Sequence, residues 1–414
     1  MRPCAACASA PSAASRMLSA RLPTTLVVNL TLLVLATDSS SGGASVSSIH
    51  QIRSLPPADW QRKIDAADAL FSADDNDLPW RSQAGIGNGM LGGTLSGSRL
   101  NMAGVFSGNV RASVATELLS SRLGTGPTHE PLEPSGALLD LREATYTRRY
   151  SASGPCSGRR AQSGCTQGTD IYSAEQRLYA HRLVPSILVM EVAVTVPCRG
   201  DHNTLTLVMS HGHPINDTPH PPVPDTVKFI NMSVLDGARI SVGTTVHAEG
   251  GALPGKAGVL QVAMVATILP SVLEFSGCGN FSRRYLHVVR SSLNGSADVL
   301  SAAKADYATA IAATPGGLHR AHVLAWSELW RSGLEIGGRH ETAVAINSSL
   351  YTVLSSLRSD WPYGCAPTGL YTSGWAGLAF CECNVTLTRV LLLRSSHAAP
   401  ACSYATASHA GRIC

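Results

Sequence analysis

Between Leu91 and Val299 the chain alternates apolar and polar residues in short runs, each closed by Gly, Pro, Asn or Asp. A two-residue period turns one face of an extended segment toward a core and the other toward solvent, so the pattern predicts strands. Pro185 to Val196 is the clearest, stopped by Pro197 and an Asp201-His202-Asn203 turn; Thr204–Ser210, Ala238–His247, Val259–Ile268 and Tyr285–Val289 have the same character. Strands at this spacing, with no helical period between them, imply antiparallel sheets stacked as a sandwich. The stretch 214–224 carries five prolines and is expected as an exposed loop.

After Asn294 the period lengthens to that of a helix. Ala302–Ala313 is Ala-rich and ends at Thr314-Pro315-Gly316-Gly317, while Leu318–Arg331 repeats Val323, Trp326 and Trp330 at three and four and stops before Gly333. A third helix, Glu341–Leu357, would place Ile346, Leu350, Val353 and Leu357 on one apolar face ahead of Pro362.

Composition narrows the class. With 414 residues, 44% hydrophobic and 14% charged, the chain is too apolar for disorder and long enough for more than one folded unit. No run reaches the roughly 20 apolar residues of a membrane span. The net charge of +4 includes Arg2, Arg16 and Arg21 in a leader without acids, so no basic face for nucleic acid is expected downstream. That leader, residues 1–36, has arginines before the apolar run Leu26–Ala36 and small residues at its end, the layout of a secretory signal. A secreted or lumenal chain is therefore expected. Six N-x-[ST] sequons fit that route and make Asn216, Asn231, Asn280, Asn294, Asn347 and Asn384 candidate glycosylation sites. Cys156 and Cys165 flank a Gly/Ser/Arg loop and are a candidate disulfide.

Chemistry-bearing motifs are sparse. Gly87-Asn88-Gly89-Met90-Leu91-Gly92 matches the dinucleotide pattern by letter, but a strand pattern follows it instead of a helix, so the glycines are expected to permit tight turns. His211-Gly212-His213 lacks a third ligand, Cys381-Glu382-Cys383 is not a C-x-x-C pair, and Leu95-Ser96-Gly97 lacks the first glycine of a nucleophile elbow. Asp74-Asp75-Asn76-Asp77 reads as a solvated turn. The arginine pairs at 148/149, 159/160 and 283/284 read as solvated loop ends. Asp140, Glu143, Asp170, Glu175 and Glu191 are the acids of the predicted sandwich, and nothing in their spacing selects a pair.

Several blocks, in order, resemble glycoside hydrolase family 65. They are Gly87 to Gly92 with Leu100-Asn101-Met102-Ala103-Gly104-Val105-Phe106-Ser107-Gly108, Leu138 to Tyr146, Glu175 to Arg182, His322 with Trp326, Leu329 and Trp330, Asn347 to Tyr351, and Gly369-Leu370. The resemblance covers about residues 55–380. It implies a mainly β N-terminal super-sandwich (55–300) after a flexible segment (37–54), then a helical linker (301–335) and the start of an (α/α)6 catalytic barrel (336–380). It also implies inverting hydrolysis of an α-glucosidic bond, that of a hydroxylysine-linked disaccharide or of trehalose, without metal or nucleotide, on a carbohydrate or glycosylated protein substrate. In such an enzyme one Glu protonates the leaving oxygen and a second carboxylate activates water.

At Gly377-Leu378-Ala379-Phe380-Cys381-Glu382 the chain departs from the family's Gly-His-x-Phe-Trp-Asp stretch, and 381–414 has no counterpart in the family. The expectation is a glycosidase homologue truncated just inside its barrel, with no catalytic residue to assign. The alternative is a secreted β-sandwich module, without catalysis, that binds glycans or a partner protein.

Overall fold

The computed structural model describes residues 56–72, 85–95, 97–125, 130–131, 135–153, 170–197, 204–211, 225–248, 258–331, 335–361 and most of 363–378. The candidate disulfide Cys156/Cys165, the sequons at Asn216 and Asn384, the Asp74–Asp77 cluster, the proline-rich loop and the Cys381-Glu382-Cys383 motif lie outside them.

A short helix α1 (Ala58–Asp65), which the sequence pattern had not announced, opens the described chain. Strands follow as β1 (Ala69–Ser72), β2 (Gly85–Gly87), β3 (Leu91–Thr94), β4 (Arg99–Ser107), β5 (Val110–Ala115), β6 (Ser121–Thr125), β7 (Glu130–Pro131), β8 (Gly136–Asp140) and β9 (Thr145–Ser153). They continue as β10 (Asp170–Ala180), β11 (Ile187–Val196), β12 (Thr204–His211), β13 (Val227–Leu235), β14 (Ala238–Thr245), β15 (Gln261–Thr267), β16 (Val272–Ser276) and β17 (Gly279–Ser291). Three helices come last: α2 (Val299–Ala312), α3 (Gly317–Trp330) and α4 (His340–Ser356).

Among the described residues the strands form a nine-stranded sheet, β1-β8-β9-β10-β11-β17-β15-β14-β13, and two four-stranded sheets, β16-β12-β6-β7 and β2-β3-β4-β5. Every pairing among the described strands is antiparallel, β11 matching β17 from Ile187↔Val288 to Val196↔Gly279. Alternation makes the large sheet two-faced. Leu188, Met190, Val192 and Val194 of β11 turn toward a core shared with Leu100 and Leu123 of the smaller sheets and Leu119 of the turn between β5 and β6. Ile187 and Val189 turn the other way, to a second core with Leu286 and Val288 of β17 and Val299, Ala303 and Ala310 of α2. At β11 and β17 both faces are buried, one against the core shared with the smaller sheets and one against α2.

Two expectations need correction. Arg148 is not at a solvated loop end: it is 0% exposed inside the first core. A guanidinium is tolerated there because Ser121 O (3.2 Å), Leu95 O (3.4 Å) and Gln176 Oε1 (3.2 Å) accept its protons. Arg284 likewise spends its charge on structure, donating to Ala310 O (3.1 Å) and Ala313 O (3.0 Å) at the carbonyl end of α2. The second correction concerns α4. Its buried residues are Asn347, Tyr351, Ser355 and Ser356, whereas Ile346, Leu350 and Val353 are only half-buried. The helix turns its polar and aromatic stripe onto the sheets because those groups find backbone partners there.

Candidate functional site

The densest cluster of specific contacts lies where the β2–β3 hairpin meets the segment after α4. Asn88, between the two glycines of the hairpin, is fully buried. Its Oδ1 accepts from Met90 N (2.9 Å) and Leu91 N (2.8 Å), closing the turn, and its Nδ2 donates to His181 O (3.0 Å) and Pro185 O (2.9 Å). All of its amide's hydrogen-bonding capacity is thus used to fix the hairpin to the β10–β11 connection.

The glycines form a floor for aromatic and backbone groups, not a phosphate cradle. A Cβ on Gly85 would stand 2.3 Å from the Tyr371 ring. Gly89, at φ +85, would carry one 2.5 Å from the Leu357 carbonyl carbon, so both its conformation and its space exclude a side chain. The Tyr351 hydroxyl donates to Gly85 O (2.8 Å), Asn101 Nδ2 to Leu370 O (3.1 Å) and Tyr371 O (2.8 Å), and Trp361 Nε1 to Ala103 O (3.0 Å). Arg111 reaches Gly369 O (3.1 Å) and Thr372 O.

Arg182 is the centre of this junction. Its guanidinium donates to Asn88 O (2.7 Å), Leu354 O (2.9 Å) and Leu357 O (3.0 Å), so one buried cation joins the hairpin to the carbonyl end of α4. Burial, then the neighbouring Arg358, pushes its pKa down to about 9. Behind it a ladder of rings runs from Tyr179 through His322 (4.7 Å between centroids), Trp326 (6.3 Å) and Tyr351 (5.6 Å) to Tyr371 (6.3 Å). His181 and His322 are buried in it as neutral rings. Nδ1 of His181 accepts from Val184 N (2.9 Å) and Nδ1 of His322 from Arg182 N (3.2 Å), and burial pushes the two pKa values down to about 4 and about 3.

The acids are committed elsewhere. Asp140 and Glu143 share the ammonium of Lys63, and Asp140 is held above the usual carboxylate range, first by burial and then by Glu143. Glu175 pairs with Arg149 (3.1 Å) and Arg177 (2.6 Å), and Glu191 with Arg284 (3.4 Å). The Asp170 side chain lies outside the description. Among the described residues no group of three or more His, Cys, Asp or Glu side chains is placed to hold a metal, and no helix is long and apolar enough to cross a membrane.

Of the sequons within the described residues, Asn231 and Asn280 are exposed. Asn294 uses its Oδ1 to cap Ser291, and Asn347 is 5% exposed with its Nδ2 donating to Ala67 O (2.9 Å). Cys278 is disulfide-bonded to a cysteine outside the described residues. In the sequence Asn88 and Arg182 stand inside the blocks that carry the family resemblance, without a role assigned to either, and Arg111 stands outside them.

The arrangement is that of stacked β-sheets tied to a following helical region by side chains that donate to backbone carbonyls. No family model matches the chain. It is 27% identical over 345 residues, 82% of its length, to a protein-glucosylgalactosylhydroxylysine glucosidase of Dictyostelium discoideum, covering 45% of that protein. The mouse protein of the same name is 24% identical over 76% of the chain and 41% of its own length. A kojibiose hydrolase of Mucilaginibacter mallensis is 35% identical over 77 residues, which is 19% of the chain and 11% of the relative. A solved structure described as a kojibiose phosphorylase from human microbiome shares the fold at TM-score 0.58 and 11% identity, over 82% of this chain and 48% of that one. The similarity to these relatives runs in the same direction as the resemblance to glycoside hydrolase family 65 carried by the sequence blocks. It spans about half the length of the relatives it matches.

Proposed function

We propose that this chain is the supporting portion of a protein acting on α-glucosidic bonds: a super-sandwich (55–300), a helical linker (301–335) and the opening of an (α/α)6 barrel (336–380). The observation that carries the reading is the junction itself. Arg182, Asn88, Asn101 and Arg111 all spend their donors on backbone carbonyls, several of them in the segment after α4, so the sandwich sets the path of that segment. A rigid support of this kind is what a precisely placed carboxylate pair requires.

The parent reaction in this reading is inverting hydrolysis of a glucosidic bond in a glucosyl-galactosyl-hydroxylysine or a trehalose-type substrate. In this reading the acid and base belong to residues outside those described, which is supported by the pairing of Asp140, Glu143, Glu175 and Glu191 with Lys or Arg. The compartment is the secretory pathway, supported by the leader, the sequons and the disulfide at Cys278. Purified full chain assayed against both substrates is expected to release no glucose. Release of glucose that Asp140→Asn or Glu191→Gln abolishes, in variants that stay folded, would place the chemistry in the sandwich and overturn the proposal.

A further inference from the structure

Strand β13 ends the nine-stranded sheet, and among the described residues it pairs only with β14. From Phe229 to Leu235 it has no charge and no proline, and Ile230 (69%), Met232 (72%), Val234 (65%) and Leu235 (55%) are exposed. Such an edge is a template for pairing with a second chain; Lys228 and the bulge between Phe229 and Asn231 guard the start of the strand, and from Asn231 to Leu235 neither a charge nor a proline does. In the middle of it stands the sequon Asn231-Met232-Ser233. Asn231 and Ser233 are both exposed and lie opposite Val242 and Ile240, so they point to the α2 side of the sheet, with Met232 opposite Ser241 on the reverse side.

We propose that Asn231 carries an N-linked glycan whose role is to shield the β13 edge from pairing with another copy of the chain. Attachment precedes folding, so the fold decides which glycans the folded protein can tolerate. Asn347, buried against Ala67 O, cannot carry one without displacing α4. Asn294 is tied to Ser291 and to Met90 Sδ (3.4 Å), and Asn280 accepts from Thr195 (2.8 Å) at the far end of β17. Asn231 alone of these sits on an uncharged apolar edge. A branched, hydrated polymer rooted there occupies the space a second strand would need, as an edge lysine does in other sheets.

The inference rests on the secretory reading, and the test separates the two. The full chain is expressed in a secretory eukaryotic host, its sequons are mapped by glycopeptide mass spectrometry, and Asn231→Gln, Asn280→Gln and Asn231→Gln/Val234→Lys are compared by size-exclusion chromatography. Asn231 is expected to be occupied and Asn347 not. Loss of the Asn231 glycan is expected to move the protein from monomer to larger species, Val234→Lys to restore the monomer, and Asn280→Gln to leave the profile unchanged. An unmodified Asn231 beside an occupied Asn280 overturns the proposal and leaves the secretory reading standing; no modification anywhere overturns both. An Asn231→Gln variant that elutes as the parent does overturns the shielding role.

Discussion

Two borders of the sheet system differ in how they are closed. At the β2–β3 hairpin the chain covers itself: glycines make room, and Arg182, Asn101 and Arg111 hold the segment after α4 by its carbonyls. At β13 nothing described pairs with the outer edge of the strand, and Ile230, Met232, Val234 and Leu235 face solvent. The contrast separates two uses of exposed backbone. A border with small residues and aligned donors is built to receive a defined segment, whereas an apolar border without them has to be kept from receiving an arbitrary one.

The sharpest way to break the first border is Arg182→Met. It leaves Leu354 O and Leu357 O without the donor they share and is expected to cost about 3 kcal/mol, at roughly 1–3 kcal/mol per buried unsatisfied group. The check is the urea midpoint. Next comes the glycine floor. Gly85→Ala and Gly89→Ala are each expected to destabilise by about 1–3 kcal/mol through overpacking. They differ in rescue: adding Tyr371→Ala should recover part of the Gly85→Ala loss, because the clash is with that ring, whereas Gly89→Ala meets Leu357 backbone at positive φ and should not be rescued by any side-chain truncation.

The most graded effect is on pH. His181 and His322 titrate near 6.5 when unfolded and near 4 and 3 when buried, so between those values the unfolded chain binds more protons. Stability from this source is complete above pH 6.5 and is lost as pH falls toward 4, by at most about 1.4 kcal/mol per pH unit per ring. Thermal unfolding of the full chain across that window should show the slope, and His181→Gln should reduce it. An unchanged slope would mean that the ring is already protonated in the fold.

Much of the fold was legible. Period-two alternation located β11, β12, β14 and β15 to within a few residues, because one face of each strand is apolar. The last three helices were legible too, although α2 begins three residues before the expected Ala302, at the Asp298 cap, whose carboxylate accepts from Ser301 N, and α1 was not expected. What sequence could not show was which polar groups are structural. Arg148 reads as a surface charge until Ser121, Leu95 and Gln176 are seen to surround it, and Asn347 and Ser355 read as the wet side of α4 until the β1 turn and the hairpin are packed on it. These are long-range matches between a side chain and a carbonyl, and no local period encodes them. The same limit hid the junction, where Asn101 meets Leu370 and Tyr371 from 269 and 270 positions away.

Amide hydrogen exchange on the full chain and on Arg182→Met measures the central claim most directly, that the sandwich dictates the path of the segment after α4. The account predicts that residues 357–371 lose protection in the variant while the amides of β10, β11 and β17 keep theirs. Loss spread evenly over sheet and segment, or unchanged protection at 357–371, would contradict it.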